Sequence, residues 1–169
     1  MLTTYRRVLA LPGALVFSMS GLLARLPISM VSLGIVLLVS TRTGSYSRAG
    51  AVSAAYLIAN AGLAVPQARL IDRLGQRRVL PVSIGVFATG MVATMVAVEL
   101  DAPVPWPHVC AAVSGAAMPM IGSCVRARWS ALVTDKSDLR TAFAFEAVVD
   151  ETVFILGPAL VTVLATTVH

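Results

Sequence analysis

The sequence predicts an all-α membrane protein with about five transmembrane helices, and three observations lead to that prediction. Hydrophobic residues make up 57% of the chain and charged residues 12%. The mean hydropathy is +0.86, which is far above the value of an ordinary soluble domain. Apolar runs of about 20 residues, the length that crosses a bilayer core about 30 Å thick, recur along the chain. Residues 1–169 are therefore expected to form a single transmembrane helical domain in a lipid bilayer.

The apolar runs place the spans at about 10–40, 49–68, 79–98, 107–125 and 141–167. The segments between them contain charges or turn residues, as loops do: TRTGSYSR, RLIDRLGQRR, ELDAPVPWP and RARWSALVTDKSDLR.

The first run has two interpretations, because Arg25 and Pro27 could divide it into a hairpin of two short helices. One long span places Arg6 and Arg7 on the same side of the membrane as most other basic residues. A hairpin would place them on the side opposite Arg69–Arg78, so that the basic residues would no longer be concentrated on one side. Basic residues concentrate in cytoplasmic loops, so the single span is favoured. The prediction is a multi-pass protein of the bacterial cytoplasmic membrane with a cytoplasmic N-terminus.

Other classes of protein find little support. The net charge is +5, but the basic residues are scattered between apolar runs, which argues against nucleic-acid binding. No metal-ligand spacing, phosphate-binding loop or nucleophile motif occurs, so neither a cofactor nor a catalytic residue is predicted, and the protein is not expected to be an enzyme. Trp129 suits an aromatic belt at the membrane surface.

Four ionisable residues fall inside the predicted spans: Arg25 in the first, and Glu146, Asp150 and Glu151 in the fifth. An unpaired charge there costs at least about 2.5–3.5 kcal/mol, so pairing or a wet cavity is expected. Glu146 and Asp150 share one helix face, while Glu151 is turned about 100° away. One hypothesis pairs Arg25 with Asp150 or Glu151 and leaves another acid free to carry a proton. The alternative is a fixed structural bridge.

The loop between the second and third spans carries an ordered set of charges. Asp72, Arg73, Gly75, Arg77 and Arg78 follow the pattern D-R-x-G-x-R-R. The pattern resembles the signature loop of the major facilitator superfamily of secondary transporters, with Ala68 where the family usually has glycine. The resemblance implies that Asp72 and Arg73 belong to a conformational lock on the cytoplasmic side. It also implies that Gly75 makes the turn, while Arg77 and Arg78 meet lipid headgroups or acidic partners.

Gly157 and Pro158 in the fifth span are similar to a glycine-proline motif of some facilitators and form a candidate helix hinge. Facilitator folds have two six-helix halves with the substrate site between them, so five spans would be an incomplete N-terminal half. The resemblance implies a secondary transporter of a small solute, with proton coupling suggested by the intramembrane acids. Such a chain would need the missing C-terminal helices or another chain. The alternative is a small non-transporting membrane protein with an assembly or regulatory role.

Overall fold

The protein is almost entirely helical in the part of the chain that the structure describes, with short turns and loops between the helices. The computed structural model describes residues 2–167, with side chains from residue 5 onward. No strand forms in these residues, and the helices are α1 (Leu2–Leu9), α2 (Ala14–Thr43), α3 (Tyr46–Leu74), α4 (Gln76–Glu99), α5 (Trp106–Ala116), α6 (Ile121–Leu132) and α7 (Lys136–Thr167). Five stretches are long and apolar enough to cross a membrane: α2, α3, α4, α7 and the α5–α6 stretch Trp106–Leu132. The predicted all-α membrane fold is confirmed.

Helix α2 carries the first span as one piece. It has 30 residues, and the helix continues through Pro27 without a break. This agrees with the single span that the sequence favoured over a hairpin. At 1.5 Å per residue the helix is about 45 Å long, which exceeds the hydrocarbon core of about 30 Å. A single α2 therefore has ample length to cross the bilayer while carrying Arg25 inside it.

The fourth span differs from its predicted form. The sequence places one span at 107–125, but the chain leaves helical conformation at 117–120 and resumes as α6. Pro119 supplies the reason, because proline has no amide hydrogen and disfavours helix in the preceding residue. Helix α6 then continues to Leu132, so that Arg126 and Arg128 lie on a helix and not in the predicted loop.

The fifth span begins earlier than predicted, at Lys136 instead of about residue 141. The Asp135 carboxylate accepts hydrogen bonds from the backbone amides of Ser137 at 2.8 Å and Asp138 at 2.9 Å. A side chain that satisfies the first free amides of a helix stabilises its start, typically by about 1 kcal/mol. This cap extends the helix into residues that the sequence suggests are a polar loop.

Two compact units make up the chain. Unit 1 consists of Met1–Met30 and Ile121–Leu160, and unit 2 of Val31–Met120 and Val161–His169. The core of unit 1 contains Val8, Ala14, Val125, Trp129, Val133 and Ala142. The core of unit 2 contains Val31, Ile35, Val39, Ala49, Val52, Tyr56, Val98 and Ala111. The single domain expected from the sequence stays a prediction.

Within unit 2, helices α3 and α5 approach so closely that a glycine is required between them. A Cβ atom added to Gly115 would lie 2.0 Å from the carbonyl oxygen of Tyr56. Real Cβ contacts are never this short, so the two backbones could not stay where they are with any other residue there. Small residues that allow close approach are the usual packing device of membrane helices.

Many large apolar side chains lie at the surface of the spans. Val16, Ile58, Val82, Phe154 and Ile155 are among the most exposed. Soluble proteins rarely present so much contiguous apolar surface to water. These side chains are suited to contact with lipid or with further helices, in agreement with the membrane assignment.

Candidate functional site

The site is a group of charged side chains inside unit 1, and Arg25 on α2 is its first member. Its Nε donates to the backbone oxygen of Gly21 on the same helix at 3.0 Å. That bond holds the long side chain along its own helix and points the rest of the guanidinium toward α7. There Nη2 donates to an oxygen of Glu146 at 2.6 Å, and Nη1 donates to Asp150. The Arg25 side chain is 9% exposed. Its positive charge, which lies within a transmembrane helix, is therefore covered by its hydrogen-bond partners.

Glu146 on α7 is the most completely enclosed member, with an exposed fraction of 0%. Besides Arg25, two neutral donors reach it: the Ser18 hydroxyl at 2.5 Å and the Trp129 indole Nε1 at 2.9 Å. They come from α2 and α6, so three helices meet at one carboxylate. A buried charge is tolerated when it is both paired and hydrogen-bonded. Glu146 meets both conditions and is held rigidly.

Asp150 lies one helical turn after Glu146 and is shared between two arginines. One oxygen accepts from Arg25 on α2, and the other accepts from Nη2 of Arg126 on α6. Its side chain is 21% exposed and that of Arg126 is 45% exposed. The cluster therefore runs from the enclosed Glu146, through Asp150, to an arginine at the surface of the chain.

We call this group of charged side chains the ion cluster; its members are Arg25, Arg126, Glu146 and Asp150. Their four charges sum to zero. Two guanidinium groups face two carboxylates. An uncompensated charge within a membrane costs at least about 2.5–3.5 kcal/mol, whereas a balanced group avoids that cost. The ion cluster can therefore reside within the spans, and a change in any one charge disturbs the balance of all four.

A glycine and an aromatic contact position the helices around the cluster. A Cβ atom on Gly21 would lie 2.6 Å from a Val125 methyl carbon, so α2 and α6 are in close contact one turn before Arg25. The Trp129 ring packs edge-on against Phe17, with ring centroids 4.8 Å apart. This packing fixes the indole that donates to Glu146. The geometry is that of an ordered polar centre inside a membrane bundle.

Comparison with known proteins decides the family. A family model described as the Major Facilitator Superfamily matches residues 15–169. The chain belongs to the major facilitator superfamily. The comparison with curated proteins and the comparison with solved structures give no match. Membership makes the chain a transporter in the general sense, and members of this superfamily are typically not enzymes.

In this major facilitator chain the structure brings three of the four predicted intramembrane charges together. Arg25 contacts Glu146 and Asp150, whereas the sequence hypothesis paired it with Asp150 or Glu151. Glu151 is exposed on another face of α7, and no cation within the described residues lies at salt-bridge distance from it. The turn of about 100° between successive helical residues accounts for the separation. Of the two alternatives in the hypothesis, Asp150 is the acid that Arg25 contacts, and Glu146 is a second acid in contact with Arg25.

Three members of the facilitator site were missed by sequence reasoning: Ser18, Arg126 and Trp129. The interpretation of Trp129 as a belt residue is wrong, because its side chain is 0% exposed and donates to Glu146. The spacing of these residues could have indicated that they share a site, since residues three or four apart lie on the same helix face. Arg126 and Trp129 have that spacing, and Ser18 lies two turns before Arg25.

The signature loop of this facilitator lies in unit 2, where α3 ends at Leu74 and α4 begins at Gln76. Gly75 alone joins them, with φ +81° and ψ 150°, and its amide donates to Ile71 at 2.8 Å. Asp72, Arg73, Arg77 and Arg78 are exposed and form no ion pair within the described residues. A locking role for them stays a prediction.

The candidate hinge at Gly157 and Pro158 lies inside an uninterrupted α7. A Cβ atom on Gly157 would lie 1.9 Å from the Ser29 hydroxyl of α2, so the glycine is required for helix packing. The hinge stays a prediction. The structure gives a different reason for the glycine at position 157, which is the close approach of α7 to α2.

Proposed function

We propose that this major facilitator chain takes part in proton-coupled transport of a small solute, with Asp150 as the acid that binds the proton. The ion cluster is the observation that supports the proposal. Asp150 is partly exposed and holds two arginines, so its protonation would release both. Glu146, by contrast, is enclosed by three donors. We assign Glu146 the role of a fixed counter-charge for Arg25.

Glu151 is the natural entry point for protons in this scheme. It follows Asp150 directly on α7 and is exposed. In this scheme the complete transporter exposes Glu151 to a water-filled cavity, where its carboxylate exchanges a proton with water and passes it to Asp150. Intramembrane acids commonly form such relays. Loss of Glu151 would slow proton delivery and leave the ion pairs intact.

The proposal includes a second half for the transporter. Facilitators place the substrate site at the midplane between two six-helix halves. The five spans described above would provide part of one half, and further helices or another chain would provide the rest. Solute transport by a reconstituted chain that native mass spectrometry finds to be a lone monomer would contradict this part of the proposal.

The signature loop would act as the cytoplasmic lock, as in the family that it resembles. In this scheme Asp72 and Arg73 hold the cytoplasmic ends of the helices together, and the N-terminus is cytoplasmic in a bacterial cytoplasmic membrane. Asp72→Asn should reduce transport without loss of folded protein. Asp101→Asn is the matched control, because Asp101 is also exposed and its φ of +48° is one that asparagine accepts.

Proton coupling can be measured in liposomes that contain the complete transporter, that is the chain with the helices or second chain that complete it, and a pH-sensitive dye. An inward gradient of each solute in a panel of amino acids, sugars, carboxylates and amines is imposed, and the internal pH is followed. We expect at least one solute to change it, Asp150→Asn to abolish the change, and Arg128→Gln to preserve it. Arg128 is the matched control because it is exposed on α6 and lies outside the ion cluster. Solute uptake unaffected by a protonophore would contradict proton coupling.

A further inference from the structure

The two arginines of the ion cluster differ in a way that bears on the solute. Arg25 has acceptors on its own helix and on two carboxylates, and its side chain is 9% exposed. Arg126 is 45% exposed, and Asp150 is the acid that it contacts in the described part of the chain. Loss of the Asp150 charge therefore leaves Arg25 paired with Glu146 and leaves Arg126 with no counter-charge.

The charge count makes the consequence definite. When both acids are ionised, the ion cluster is neutral. When a proton from water binds Asp150, two guanidinium charges face the single carboxylate of Glu146, and a net charge of about one positive unit remains inside the spans. A charge without a partner is unfavourable inside a membrane. A negatively charged group beside Arg126 removes the cost.

Other charged groups near Asp150 do not supply that negative charge. The groups in contact with it are Arg25 from α2 and Arg126 from α6, and Glu146 lies one turn before it on its own helix. Glu146 is enclosed and already engaged by Ser18, Trp129 and Arg25. Glu151 is directed about 100° away around α7. Among the described residues, Asp150 is the acid at salt-bridge distance from Arg126, so its protonation opens the position beside Arg126 to another negatively charged group.

We propose that the transported solute is an organic anion whose acidic group binds Arg126 in place of the Asp150 carboxylate when Asp150 is protonated. This inference rests on the proposed function, since it assigns the same proton to Asp150. The proton neutralises one negative charge and the solute brings another, so the ion cluster remains balanced throughout. A guanidinium group is suited to the task because it binds an oxyanion through two parallel hydrogen bonds. Proton and anion then bind together.

Binding can be followed with the protein's own fluorescence. The chain has two tryptophans, and Trp106→Phe leaves Trp129, which donates to Glu146, as the sole reporter. Benzenesulfonate is the probe because it stays negative at every working pH, so any pH dependence belongs to the protein. We expect saturable binding that becomes tighter as the buffer is made more acidic and weaker as it is made more alkaline. Benzyltrimethylammonium, a cation of similar size, should not bind in any of these buffers.

Substitutions in the same Trp106→Phe background assign the site. Asp150→Asn imitates the protonated acid and should bind benzenesulfonate in alkaline buffer up to about 100-fold more tightly than the parent does, the factor equivalent to about 2.7 kcal/mol. Arg126→Gln should abolish binding, and Arg128→Gln should leave it unchanged. The double variant Arg126→Gln with Asp150→Asn retains a neutral Arg25–Glu146 pair, so it should fold and bind no anion. Absence of binding in a folded Asp150→Asn protein would overturn the inference.

Transport measurements separate this inference from the function on which it rests. Liposomes containing the protein are given gradients of benzenesulfonate, neutral benzamide or benzyltrimethylammonium, and the internal pH is recorded. Proton movement driven by benzamide or benzyltrimethylammonium, with none driven by benzenesulfonate, would overturn the anion assignment and uphold proton coupling. Benzenesulfonate binding at Arg126 without solute-driven proton movement would uphold the anion site and refute proton coupling.

Discussion

Unit 1 and unit 2 are stabilised in different ways. Unit 1 places four charges inside the spans and surrounds them with hydrogen bonds from three helices. Unit 2 relies on close backbone approach, as at Gly115 and Tyr56, and its ion pair between Arg42 and Glu99 lies at the surface. The buried charges of unit 1 are those to which a proton site is assigned in the proposal above, whereas unit 2 carries the signature loop.

The strongest test of this contrast is removal of Arg25. Arg25→Met leaves Glu146 enclosed without its cation, and breaking a buried ion pair in this way costs about 3–5 kcal/mol. We expect a correspondingly large fall in the free energy of unfolding, measured by thermal or denaturant unfolding in detergent.

A double variant provides the control for that experiment. Arg25→Met with Glu146→Gln removes both charges, keeps an oxygen for Ser18 and Trp129, and leaves Asp150 paired with Arg126. It should recover much of the lost stability. Equal instability of the single and double variants would show that packing around Arg25, and not charge balance, stabilises unit 1.

The stability of unit 2 should instead be sensitive to added side-chain volume where its helices are in close contact. Gly115→Ala places a methyl group 2.0 Å from the Tyr56 carbonyl oxygen, so α3 and α5 must separate. Overpacking costs about 1–3 kcal/mol, and this contact belongs at the upper end of the range. Gly85→Ala on α4 is the matched control, because its added methyl group meets nothing within 4 Å. Unfolding in detergent should show a large loss for the first variant and none for the second.

The sequence predicts the parts of this molecule that local chemistry decides. Five apolar runs imply five spans, and charges inside them imply pairing, because both follow from the energy of transfer into a bilayer. Ser18 and Trp129 could not be assigned to Glu146, since a serine or tryptophan in a span has many uses and the choice depends on which helices meet. The Pro119 break and the early start at Lys136 follow local rules that are visible only when applied residue by residue.

A smaller effect should arise at the turn between α3 and α4. Gly75 has φ +81° and ψ 150°, a conformation that residues with a side chain adopt at a cost of about 1–3 kcal/mol. Since the turn is exposed and can relax, we expect Gly75→Ala to cost about 1 kcal/mol, near the bottom of that range. Gly62→Ala, within α3 and with open space around it, serves as the control. Equal unfolding midpoints for the two variants would mean that the turn adjusts without strain.

The smallest effect is expected at the Arg42–Glu99 pair, which has the same chemistry as the pair in unit 1 but is about half exposed. Water already solvates both groups, so Glu99→Gln should lower stability by about 0.2–1 kcal/mol. Salt then distinguishes the two pairs. At about 1 M salt the screening length falls to about 3 Å, so the effect of Glu99→Gln should vanish. The effect of Arg25→Met should persist, because salt does not enter the enclosed site. If salt weakened both effects equally, Glu146 would have to be accessible to ions, and burial could not be what separates unit 1 from unit 2.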